Sequence, residues 1–203
     1  MLELSENIPE LNEYADIFWN SRQRRGISLL DSQKWMRERN YFAAMMVNEG
    51  DADALISGYS RSYPTVVKPI LELIGLDKGV TRVATTNLLM TQRGPLFLSD
   101  TSINIDPDSM DLTAIANMTA TTVKMFGLQP VIAMVSFSNF GSSEHPSAKK
   151  VREAVAYLHK YYPNLIVDGE LQTDFALNDD MLQDIFPFSK LSGKKVNTLI
   201  FPN

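Results

Sequence analysis

The chain has no cysteine, so disulfide bridges, thiolate metal sites and cysteine nucleophiles are all excluded. Histidine is nearly missing too. The two present, His145 and His159, show neither triad nor metal-site spacing. No apolar run has the length needed to cross a bilayer, which argues against a membrane-embedded role. The opening MLELSENIPEL lacks the basic start and apolar core of a signal peptide. Together with the missing cysteine, this points to a cytoplasmic protein. Positive charge is also in short supply. Lys and Arg number 19 against 24 Asp and Glu, a net charge of −5 that argues against a nucleic-acid partner. A local cationic site for a phosphorylated small molecule stays open.

What is present is ordinary globular material: 203 residues, 44% hydrophobic and 21% charged, enough for one large domain or two lobes. The first stretch reads as helical. Residues 12–25 form one helix stopped by Gly26, and Asp31 N-caps a second that runs to Gly50, with Trp35, Tyr41, Phe42, Met45 and Met46 at helical spacing. ADALISG (52–58) predicts a short buried strand. Pro64 opens a helix that runs to Gly75 and carries Pro69. RVATTNLLM (82–90) and PLFLSD (95–100) flank a TQRG turn and predict an antiparallel hairpin. A helix from Asp108 to Phe126, a strand at 131–138, a helix over AKKVREAVAYLHKYY, a strand at 165–171, a short helix at 178–186 and a strand at 194–201 follow. Strands alternating with helices predict an α/β fold with a largely parallel sheet plus one β-hairpin. A composition shift near Lys78–Gly79 marks a candidate lobe boundary.

Three polar clusters are candidates for chemistry. Ser136, Ser138, Asn139, Gly141, Ser142 and Ser143 lie between a strand and a helix, where ligands meet open α/β sheets and helix-start amides suit an anion. A well-capped turn explains the same residues equally well. Asp168, Glu170, Gln172 and Asp174 alternate at a strand end. Strict alternation puts them on one face, turned to solvent, a cleft or a partner, because four polar groups in a core would be costly. A solvated edge with a helix cap is the competing explanation. Ser57, Gly58, Ser60, Arg61, Ser62 and Lys68 supply two cations suited to a phosphate, though surface cations are commonly just solvated. Asp100, Thr101 and Asn104 read as turn chemistry.

Four blocks in order resemble one family. YFAAMMVNEGDADALISG (41–58), SFSNFGSS (136–143), DGELQTDFAL (168–177) and KLSGKKVNTLIFPN (190–203) are similar to stretches of the phosphate acetyl/butyryltransferases. RQRRGISLLDSQKWMRERNYFAAMMV and SRSYPTVVKP look like the version carried at the C-terminal end of NADP-dependent malic enzymes. The resemblance implies a two-lobed α/β/α sandwich, like that of isocitrate and isopropylmalate dehydrogenases, with a ligand cleft. Residues 1–78 would be part of the first lobe and 79–203 the second, with a homodimer contact. Asn139–Phe140 stand where active acyltransferases usually carry Thr-Lys, and Lys68 stands in place of an arginine that helps hold the substrate phosphate. A lysine keeps the charge but loses bidentate geometry.

The family's serine–arginine–aspartate catalytic motif lies after the IFP strand, so the sequence is expected to be a truncated version of the family domain. Catalytic residues are accordingly not assigned. The expected function is an acetyl-CoA-binding regulatory and oligomerisation domain of a malic enzyme. NADP and a divalent metal would serve only the malate-oxidising half. The expected ligand contacts are Ser57, Arg61, Ser62, Lys68, Ser138, Asn139, Gly141 and Ser142, with Asp168 and Glu170 shaping the site. An active phosphate acetyltransferase working on acyl phosphate and CoA is the main alternative, and an assembly scaffold with a vestigial cleft is the third.

Overall fold

A computed structural model describes residues 8–76, 78, 80 and 82–203. The chain divides into two units, Met1–Val80 and Thr81–Asn203. Gly79, half of the expected boundary pair, lies outside the described residues, as does most of the opening segment read for a signal peptide.

The first unit is helical among its described residues: α1 (Pro9–Arg22), α2 (Leu29–Met36), α3 (Arg39–Glu49) and α4 (Tyr63–Leu73). Its core gathers Leu11, Tyr14, Ala15, Phe18, Met36, Tyr41, Phe42 and Met45. Two expectations are corrected here. The N-cap of α2 is Ser28, not Asp31. Asp31 is the third helical residue, and the two side chains bond each other's backbone N–H in a capping box. Ser28's bonds hold the Asp31 carboxyl below the usual range.

The expected single helix is also broken at Arg37–Glu38, where Glu38 is extended. At about 100° per residue, an unbroken helix would set Met45 on the side opposite Met36. Both are buried, at 1% and 0% exposure, and the break is what brings them to one core. The expected strand at 52–58 is a loop, with Ile56 98% exposed. No strand stands among the unit's described residues to pair with it, and an isolated strand leaves its backbone unbonded.

The second unit is built on a five-stranded sheet of order β1-β2-β5-β3-β4. The strands are β1 (Thr86–Thr91), β2 (Gly94–Ser99), β3 (Val131–Val135), β4 (Ile166–Leu171) and β5 (Thr198–Ile200). The β1–β2 pair is the expected antiparallel hairpin, and the remaining pairings are parallel. Side chains of β3 alternate between two cores. Ile132 and Met134 pack under α5 (Ser109–Met125) and α6 (Pro146–Tyr161). Val131, Ala133 and Val135 pack with α7 (Thr173–Leu177), α8 (Asp179–Ile185) and the segment leading to β5. Helical material therefore covers both faces, as a parallel sheet requires. The single helix expected at 178–186 is preceded by the short α7. Asn178 ends α7 and caps α8 by accepting from Met181 N–H at 3.1 Å.

β5 inserts between β2 and β3, so the last strand in the chain is central in the sheet. Asn197 locks it there. Its side chain accepts from Val131 N–H at 2.9 Å and donates to the Gln129 carbonyl at 2.8 Å. At the other end of β3 the register with β4 shifts: Met134 pairs with Gly169, and Val135 with Leu171. Gly169 sits at φ +145, and a Cβ there would lie 2.5 Å from the Met134 carbonyl oxygen. Only glycine permits that approach.

Candidate functional site

The β4 irregularity decides where the carboxylates go. Strict alternation expects Asp168 and Glu170 to work as one polar face, but the structure gives them different partners and buries both. Asp168 Oδ2 accepts from Ser189 Oγ at 2.9 Å and Lys190 N–H at 2.8 Å, in the segment before β5. Glu170 is fully buried. Its Oε1 accepts from Ser138 Oγ and from Gly141 N–H, each at 2.9 Å, and Arg152 Nε reaches Oε2 at 3.2 Å. A buried carboxylate requires such donors, and here they are complete enough to make it a strut.

The loop after β3 is organised around this strut. Ser138 Oγ also accepts from Ser143 N–H and lies 3.0 Å from Ser142 Oγ. Ser142 Oγ accepts from Asn139 N–H at 3.0 Å. The Asn139 carboxamide pairs with Gln172, donating to its Oε1 at 2.8 Å and accepting from its N–H at 2.7 Å. Phe140 N–H donates to the Glu170 carbonyl. Phe140, at φ 44, packs its ring 4.9 Å from both Phe186 and Phe188. The loop amides expected to cradle an anion thus donate to protein acceptors. His145 N-caps α6, accepting from Ser147 N–H at 3.2 Å, and packs edge-on against the exposed Phe137.

Sequence reasoning missed Arg152. It clamps Glu170, donates to the Ser143 carbonyl at 2.8 Å and pairs with Glu144 at 3.0 Å. Bonds to Glu144 and Glu170 raise its pKa further. The available signal was indirect: a glutamate inside an apolar strand calls for a cation, and α6 supplies one.

Asp100, at the end of β2, is saturated in the same way. It accepts from Thr85 N–H at 3.0 Å, from the Thr85 hydroxyl, and from Asn104 N–H at 2.7 Å. Burial by itself would push the carboxyl up, but the bonds from Thr85 and Asn104 outweigh it and hold it below the usual range.

In the first unit, two of the predicted cations share a hollow of about 510 Å³. Arg61 and Lys68 line it with Lys34, Trp35, Asn40 and Tyr41, among others. Ser57 and Ser62 are tied to lining residues. Ser57 Oγ donates to Asn40 Oδ1 at 2.7 Å, and Ser62 Oγ lies 2.7 Å from Thr65 Oγ1. Trp35 and Tyr41 stack with centroids 5.5 Å apart, and Lys68 Nζ sits 5.0 Å over the Trp35 ring. Tyr41 O–H donates to Glu72 at 2.5 Å, and burial with that carboxylate raises the phenol's pKa. Trp35 and Tyr41 read in sequence as apolar helix positions. Their place in this wall depends on the break at Arg37–Glu38. Among the described residues no group of three or more His, Asp or Glu could hold a metal, and no helix is long and apolar enough to cross a membrane.

The phosphate acetyl/butaryl transferase family model matches residues 2–203. The chain belongs to that family. It is similar to the NADP-dependent malic enzyme of Escherichia coli (strain K12), at 34% identity over 98% of this chain and 26% of that enzyme. It is also similar to the phosphate acetyltransferase of Thermoanaerobacterium thermosaccharolyticum, at 32% identity over 96% of this chain and 61% of that protein. Among solved structures, a phosphotransacetylase from Streptococcus pyogenes superposes with a TM-score of 0.85 at 34% identity, over 97% of this chain and 60% of that one. EutD phosphotransacetylase from Staphylococcus aureus gives 0.79 at 32% identity, over 98% and 60%. The chain spans about a quarter of the malic enzyme and under two thirds of these phosphotransacetylases.

Proposed function

We propose that these residues form a CoA-ester-binding regulatory and oligomerisation domain of a cytoplasmic NADP-dependent malic enzyme. In this reading acetyl-CoA or a related ester binds here and modulates malate decarboxylation elsewhere in the parent protein, a coupling between two sites. NADP and a divalent metal belong to that other part. The single observation carrying the reading is the hollow lined by Arg61 and Lys68, which sets cations beside an aromatic wall on a chain of net charge −5. Ser57, Arg61, Ser62 and Lys68 are the contacts offered by the first unit. In the second unit Ser138, Asn139, Gly141 and Ser142, the other expected contacts, are already bonded within the protein; Glu170 holds the shape of their loop and Asp168 that of the segment before β5.

The commitment of Asn139 to Gln172 and of Phe140 to an aromatic cluster supports regulation over catalysis. Strand β1, at the sheet edge with Leu88, Leu89 and Met90 exposed, supports the oligomerisation role, because an apolar edge invites a partner. We read the fold as the two-lobed α/β/α sandwich of the isocitrate dehydrogenase kind, assembled as a homodimer.

Titration calorimetry of the chain with acetyl-CoA tests the reading. Heat that saturates at millimolar ligand or below is expected, and its absence leaves the scaffold role. The second reading, an active phosphate acetyltransferase, rests on the close superposition with phosphotransacetylases. Turnover of acetyl phosphate and CoA by the complete parent protein would establish it instead.

A further inference from the structure

The second unit has a recess at the end of its sheet opposite the loop after β3. It measures about 680 Å³ and lies where β2, β3 and β5 begin. The β1–β2 turn, the segment entering β3, the end of α7 and the approach to β5 form its walls. Leu96, Val131, Leu177 and Val196 line it, and all four belong to the core packed on one face of the sheet. Pro95 and Leu128 extend the apolar lining. The recess is therefore a gap in that core, open to solvent and within the usual size of small-molecule sites.

Its charge has one sign. Arg93 and Lys195 line it, both exposed, and among the described lining residues there is no carboxylate and no aromatic ring. Arg93 reaches Asp179 at 2.9 Å, but both side chains of that pair are exposed, and such pairs are weak. Aliphatic walls gain from a chain that leaves water, and exposed cations beside them gain from an anionic head. With no ring in the lining, a planar ligand has nothing to stack on. A second copy of the chain meeting this face across a two-fold axis would set Arg93 and Lys195 against their own copies, which like charges oppose.

We propose that this recess binds a single-chain aliphatic carboxylate. The chain lies on Leu96, Val131, Leu177 and Val196, and the carboxylate meets Lys195 and Arg93. The site is separate from the cationic hollow of the first unit, and the proposal does not depend on the CoA-ester reading.

Titration calorimetry with hexanoate, octanoate and decanoate tests it. One saturable site is expected, tightening about tenfold for every two CH₂ groups added. Octanol, octylammonium and benzoate should each bind far more weakly than octanoate, since each lacks either the anionic head or the chain. Lys195→Glu should weaken octanoate about tenfold with the melting temperature unmoved, because the side chain is exposed. Leu128→Glu sets a carboxylate in the recess and should abolish binding. Arg61→Glu, in the other unit, should change nothing.

The assignment is overturned if decanoate gives no heat at millimolar concentration, or if affinity ignores chain length. Octanol or benzoate matching octanoate would overturn it too, as would octanoate binding untouched by both Lys195→Glu and Leu128→Glu. Loss of octanoate binding in Arg61→Glu would move the ligand to the other hollow. Sedimentation of the same variants covers the remaining occupant: a dimer that Leu128→Glu dissolves, in a chain that ignores octanoate, would put a second copy in the recess instead.

Discussion

The loop after β3 and the hollow of the helical unit both gather polar side chains, for opposite ends. In the loop, Ser138, Asn139, Gly141, Ser142 and Glu170 all bond one another or their neighbours. In the hollow, Arg61 and Lys68 are exposed, and the ion pair of Lys68 with Glu72 is long at 4.0 Å. Polar groups already bonded to protein stabilise the fold and have little left for a ligand. Polar groups left to water contribute little to stability and exchange water for a ligand cheaply. The difference separates a polar loop that serves the fold from cations left open to solvent.

That contrast is testable by substitution. The largest effect is expected at Glu170. Glu170→Ala removes a fully buried carboxylate and strands Ser138, Gly141 N–H and Arg152, and should destabilise by about 3–5 kcal/mol in urea unfolding. A loss under 1 kcal/mol would mean the loop does not depend on its strut.

Phe140→Lys comes next. It places the family's lysine in the loop but takes a ring from the Phe186–Phe188 cluster, and should cost about 3 kcal/mol without creating acyl transfer. Gain of acetyl phosphate turnover in the complete protein carrying this change would show that the loop is still catalytic ground.

Asp100→Asn should cost about 2 kcal/mol, because an amide NH₂ replaces one of the oxygens that accept from Thr85 and Asn104. Its pH signature follows from the lowered carboxyl. The folded state holds its proton less tightly than the unfolded chain does. Asp100 therefore contributes stability above the ordinary carboxylate range, and loses it as pH falls through the lowered folded value. Melting against pH should show a shallower acid limb in the variant, and an unchanged limb would remove Asp100 from the account.

Arg61→Glu has the smallest expected effect on stability, within about 0.5 kcal/mol, because its side chain is exposed. A melting shift as large as that of Asp100→Asn would erase the distinction between the two regions.

Much of the fold was legible in advance, and the errors have a common cause. Gly26, Gly50 and Gly127 end helices because each adopts a left-handed conformation there. The β1–β2 hairpin follows from two apolar runs around a short turn. The misread places are those where distant residues decide. Residues 52–58 have strand composition but no strand beside them in their unit. The helix over 31–50 is periodic enough to run unbroken, yet its core contacts require a break. Alternation along β4 fails at one residue because the pairing with β3 shifts. In the site, Arg61 and Lys68 were visible as cations; Tyr41 is core as its spacing suggests, and only the packing shows that it and Trp35 also line the hollow.

The sequence by itself determined the α/β class, most elements, the hairpin and the family, because periodicity, caps and ordered motif blocks are local properties of the chain. Tertiary structure alone decided which polar residues are committed. Glu170 meets Ser138 from 32 residues away, and Asp168 meets Ser189 from 21. The partner that satisfies a buried oxygen is set by how strands and helices pack, and no local pattern of serines, glycines and carboxylates carries that information.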